Sequence, residues 1–217
     1  MQKNLVAFIL MFGSFVQAGT YTISFKNISN RQGFGGQPIT PAAIVIHKPQ
    51  FKLFTENRPS SREVWLIAED GATARALSLP QRDSRALMTA KGPRILPGLK
   101  QSIQITIPNR FDKEQLSFVS MLSRTNDGFT GLQNIRLPQK INDVVIRESL
   151  AWDAGSELNT ETCGFVPCAF HMVRMPQGAE GAVRLHSGIQ GNNDLSKISD
   201  GWPADNKIGL ITIRRDR

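Results

Sequence analysis

The run AWDAGSELN at residues 151–159 sets two carboxylates, Asp153 and Glu157, on either side of Gly155. Glycine tolerates backbone conformations that fold a chain back on itself, so both carboxylates and an intervening carbonyl can face one point. Acids brought together repel unless a cation lies between them, and a set of hard oxygen donors drawn from loops is what calcium prefers. A third acid, Asp127 in the run SRTNDGFTGL, follows directly on an apolar alternating stretch and can join them from a second loop. The plain alternative for each is a turn, because Asn-Asp-Gly is a common turn sequence and an aspartate often caps a bend.

Other chemistry has less to stand on. The chain contains no G-x-S-x-G elbow, no H-E-x-x-H and no phosphate-binding loop. The glycines of GFGGQP lack dinucleotide-motif spacing and read as a hairpin. Its three histidines, His47, His171 and His186, fall in or beside runs with strand character, where a hydrogen-bonded structural role is the simpler reading. His186 stands apart because a glycine-rich loop follows it. The two cysteines, Cys163 and Cys168, lie in CGFVPC. A zinc site needs further Cys or His ligands and only His171 is near, so a disulfide is the expectation in an oxidising compartment; a reduced, packed pair is the alternative.

The elements that must carry these residues are mostly strands. Tyr21, Ile23 and Phe25 alternate with polar neighbours, as do Ile103, Ile105 and Ile107, the pattern of half-buried strands. Apolar runs at 42–47, 116–122, 169–175, 182–186 and 208–213 continue the series, separated by turn signals such as Pro97-Gly98 and Asn126-Asp127-Gly128. So many strands with little helix between them predict a mainly β, antiparallel β-sandwich. One short helix interrupts it: Ser60-Ser61-Arg62-Glu63 reads as a capping box, apolar residues follow, and Gly71 ends the run, with 73–79 able to add a second turn.

Residues 1–18 combine Lys3, an apolar run from Leu5 to Phe12 and small residues at the end, which is the pattern of a signal peptide. The apolar run is too short to anchor the chain and nothing later resembles a membrane span, so residues 19–217 read as one domain outside the cytoplasm, periplasmic or secreted. Lys and Arg number 26 against 18 acids, a formal charge of +8. Outside the cytoplasm that favours lipopolysaccharide, anionic glycans or phospholipid headgroups over nucleic acid, unless the charge serves solubility alone.

Taken together, YTISFKNIS, GQPITPAAIVIHKPQFKLF, AEDG, LPGLKQSIQI, SFVSMLSRTNDGFTGL, AWDAGSE and EGAVRLHSGIQGNNDL resemble the spondin N-terminal domain, the module of F-spondin, mindin and many exported bacterial proteins. The resemblance implies a sandwich similar to C2 domains, a calcium ion at one end, and adhesion rather than catalysis. The family's calcium ligands carry over onto Asp127, Asp153 and Glu157. Animal members have S-P-D-W where this chain has T-N-D-G, and Asp in place of Glu157; carboxylate chemistry survives both changes. Their thrombospondin-type repeats are absent from this sequence, so their cell-matrix partners do not transfer.

The expectation is an exported calcium-binding recognition module whose partner is an anionic glycan, lipopolysaccharide or a surface protein. An envelope protein stapled by its metal is the second reading. A metal-dependent hydrolase is the third, and it requires a cleft joining the carboxylates to a base such as His186.

Overall fold

The computed structural model describes residues 18–167 and 178–217. The expected signal peptide, Cys168, His171 and the strand expected at 169–175 fall wholly or largely outside the described residues.

The described residues form nine strands: β1 (Ala18–Asn27), β2 (Ala43–His47), β3 (Ala86–Lys91), β4 (Lys100–Pro108), β5 (Gln115–Met121), β6 (Gly128–Arg136), β7 (Val144–Asp153), β8 (Arg184–Leu185) and β9 (Lys207–Arg215). Every ladder is antiparallel, and the path runs β3-β2-β5-β6-β7-β9-β1-β4. The sheet folds over at β7. Val144 to Ser149 pair only with β9, Leu150 pairs with both β9 and β6, and Ala151 to Asp153 pair with β6, the last two also with β8. The result is a mainly β sandwich, nearly closed like a barrel.

Alternation fills the interior. Tyr21, Ile23 and Phe25 of β1, Ile105 and Ile107 of β4, and Ile211 and Ile213 of β9 face Ile44, Ile46, Leu116 and Phe118 from the opposite sheet. Phe25 and Phe118 meet edge to face at 5.1 Å. A second cluster lies behind the β2-β5-β6 sheet, where Val45, Val119, Met121 and Phe129 pack under Val64, Ile67 and Ala68 of helix α1 (Arg62–Asp70). With apolar partners on both sides, β2 is buried at all five positions, which explains its unbroken apolar sequence.

The helical region differs from expectation in one detail. Ser61, not Ser60, is the N-cap, and no side chain caps the helix. Glu63 instead forms an ion pair with Arg75 at 2.9 Å and accepts from Arg82 at 2.6 Å, tying α1 to the short helix α2 (Ala74–Leu77) and the turn after it. Gly71 does end α1, at φ +65°. The run at 182–186 forms only the two-residue β8.

Candidate metal centre

One end of the sandwich gathers the β5–β6 turn, the end of β7 and the 154–161 loop. Asp127 and Asp153 are fully buried and Glu157 is 7% exposed. The pairing of Gly128 with Asp153 and the Ala154 N–H donating to the Asp127 carbonyl at 3.1 Å place the first two acids side by side. Gly155 then turns the chain at φ +67°. A Cβ there would stand 2.7 Å from the Ala182 carbonyl carbon, so the bend requires glycine for conformation and for space. The bend aims two backbone donors back at Asp127, whose Oδ2 accepts from Ser156 N at 2.6 Å and Glu157 N at 3.0 Å. The reading of Gly155 as the residue that folds the chain back holds.

The acids differ in how well they are satisfied. Asp153 Oδ1 accepts from Gly155 N at 2.7 Å, and its Oδ2 accepts from the Asn159 amide at 2.5 Å with Arg184 Nε 3.9 Å away. Asp127 Oδ1 is buried without any hydrogen-bond partner among the described residues. Burial, then the neighbouring Asp153 charge, push the Asp127 carboxyl up to about 6 against the pull of the two backbone donors. Burial, then the charges of Asp127 and Asp70, push Glu157 up to about 7. The site therefore holds more negative charge than its surroundings neutralise.

Its donors are all oxygens, the type a hard cation such as calcium prefers, and the unpartnered Asp127 Oδ1 is one of them. Among the described residues, no group of three or more His, Cys, Asp and Glu side chains is already arranged to hold a metal ion. The shell is thus not preformed, and the charges that act on Glu157 are those of Asp127 and Asp70.

Sequence reasoning missed Asp70, Asn159 and Glu161. Asp70 had a signal: it follows Glu69 at the C-terminal turn of α1, which carries no basic residue, and acids there oppose the helix dipole. Glu161 had none. Its carboxylate accepts from three successive backbone donors, Gln190 N at 2.5 Å, Gly191 N at 2.8 Å and Asn192 N at 2.9 Å, while its own N–H donates to Asn126 Oδ1 at 3.1 Å. It clamps the 190–192 loop to the β5–β6 turn, and it holds a strained φ of +55° to do so.

The histidines separate. His47 is buried at the other end, with Nδ1 2.8 Å from the Lys48 carbonyl and Nε2 2.7 Å from Ser117 Oγ, a structural role as expected. His186 lies close enough to Asp153 to feel its charge, yet burial lowers its pKa. Its Nδ1 accepts from Gly188 N at 3.0 Å and its ring packs edge-on against Trp202. A cavity inside the sandwich, lined by residues such as Phe25, Ile39 and Phe118, touches neither His186 nor the three acids. Cys163 N donates to Asp194 Oδ2 at 2.7 Å, and its expected partner Cys168 lies outside the described residues. Among the described residues, no helix is long and apolar enough to cross a membrane.

No protein-family model matches the chain, and a search of curated proteins finds no match.

Proposed function

We propose that this protein is an exported, spondin-like recognition module that binds calcium through Asp127, Asp153 and Glu157 and engages an anionic surface or envelope component. The observation that carries the reading is Asp127: a fully buried carboxylate with one oxygen unpartnered, set beside two further acids. Burying unneutralised charge is costly, and a divalent cation held there supplies the missing positive charge and a Lewis-acidic point for an anionic group. The protein's part is to fix the oxygens: the Gly155 bend holds Asp127 through Ser156 and Glu157, and Asn159 holds Asp153. With the acids occupied this way and His186 packed on Trp202, the module binds rather than catalyses.

A metal staple without a ligand is the second reading, favoured by the fact that the same acids already tie two loops together. Retention on lipopolysaccharide or sulfated-glycan beads separates the two. The recognition reading expects retention with calcium, and loss with chelator and in Asp153→Ala. Identical retention in all three conditions rejects a metal-mediated partner.

A further inference from the structure

Large apolar side chains stand exposed at the same end as the acids. Leu96 is 45% exposed, Leu99 50% and Ile198 61%. The two leucines flank Pro97-Gly98 in a turn closed by Leu99 N donating to Leu96 O at 3.1 Å, with Gly98 at φ +77°, as a type II turn requires. The turn is rigid. Gly98 N donates to Asn27 O at 3.1 Å, Asn27 N donates to Leu99 O at 2.9 Å, and the fully buried Asn27 side chain donates to Gln37 O at 2.6 Å. Ile198 sits against the loop that also packs on this turn: Gly98 lies against Asn30, Gly36 lies against Ser29 and Asn30, and Gly35 N donates to Ile198 O at 2.7 Å.

Charge surrounds these tips. Lys26 and Lys100 are both exposed and directly opposed across the β1–β4 ladder, an arrangement that destabilises a sheet unless an anion relieves it. Arg94 is exposed two residues before Leu96. Among the described residues, no salt bridge involves Lys26, Lys100 or Arg94. A few exposed apolar tips backed by cations without salt bridges among the described residues make a poor protein interface, which needs a well-packed area of about 800 Å² per partner. They suit a lipid surface, where apolar side chains enter the acyl boundary and Lys and Arg meet anionic headgroups.

We propose that the 96–99 turn, with Ile198 beside it and Lys26 and Lys100 behind it, is the edge by which the protein docks on an anionic lipid bilayer. This deepens the recognition reading and rests on it for the choice of an anionic partner, while the apolar tips and cations act without the metal.

The test is co-sedimentation of the processed protein, its N-terminus checked by intact mass, with phosphatidylcholine vesicles containing or lacking phosphatidylglycerol. Wild type should pellet only with the anionic vesicles. Leu96→Ser with Leu99→Ser should weaken binding by about tenfold or more, since each half-exposed leucine regains part of its burial energy, and Lys26→Gln or Lys100→Gln by about fivefold each. These positions are exposed, so unchanged melting shows the variants fold. Undiminished binding by the double serine variant, or no binding by wild type, overturns the proposal. Loss in the serine variant with no effect of chelator or Asp153→Ala upholds the docking edge and removes the calcium reading as its partner. Sensitivity to chelator with no effect of the serine changes does the reverse.

Discussion

Replacing Asp127 by Asn removes a charge while leaving a carbonyl oxygen to accept from Ser156 N and Glu157 N. In calcium-free protein this should stabilise the fold at neutral and alkaline pH. The Asp127 carboxyl stands at about 6 against an ordinary 3.8, so the folded state holds its proton more tightly than the unfolded chain does. For such a raised acid, the contribution to stability is fully present below the unfolded pKa. It is lost as pH rises through the folded one. Roughly two units at about 1.4 kcal/mol each put the penalty of ionised Asp127 near 3 kcal/mol above pH 7, and Asp127→Asn escapes it. For a chain of this size that corresponds to a melting shift on the order of 6–12 °C. The assay is thermal unfolding with chelator at pH 8 and pH 4, then with calcium at pH 8. The variant should melt higher than wild type at pH 8 in chelator, the gain should shrink at pH 4, and calcium should raise wild type while leaving the variant unmoved. A variant that melts lower at both pH values in chelator, or that gains from calcium as wild type does, refutes the claim that this site is defined by unneutralised negative charge.

Protons should compete with calcium, because Glu157 stands at about 7 and Asp127 at about 6; apparent affinity measured by titration should fall by up to about tenfold per pH unit for each proton displaced as pH drops below 7. Glu161→Gln should release the 190–192 loop, costing about 2–3 kcal/mol through weakened charge-assisted hydrogen bonds, visible in denaturant unfolding and as new proteolytic nicking between 188 and 194. Quantitative thiol labelling of exported protein without reductant should find neither Cys163 nor Cys168 free, and breaking so short a loop should cost about 2 kcal/mol; two labelled thiols would mean that packing alone holds it.

The sandwich was legible wherever one face is wet and the other dry, as in β1 and β9, and β2 showed itself by its unbroken apolar run. The strands that escaped notice lack such a code. β6 begins inside a turn signal and carries Gly131 and Asn134, the latter at φ +57°, beside a register shift in the β5–β6 ladder. β7 breaks alternation because it changes sheets midway, leaving Val144 and Ile146 exposed where its first half has β9 as a neighbour and no β6. At the centre, Asp127, Asp153 and the Gly155 bend were readable because a turn needs fewer acids than this one has. The Asp70 charge that acts on Glu157, and the Glu161 clamp, depend on how distant segments pack, and no local pattern encodes that.

Calcium titration calorimetry on wild type and Asp153→Ala, run at pH 8 where the acids are ionised, tests the central claim most directly. A single saturable calcium site in wild type, absent from Asp153→Ala although that variant remains folded, is the predicted result. Heat indistinguishable from dilution in wild type, or the same stoichiometry and affinity in both proteins, would contradict it.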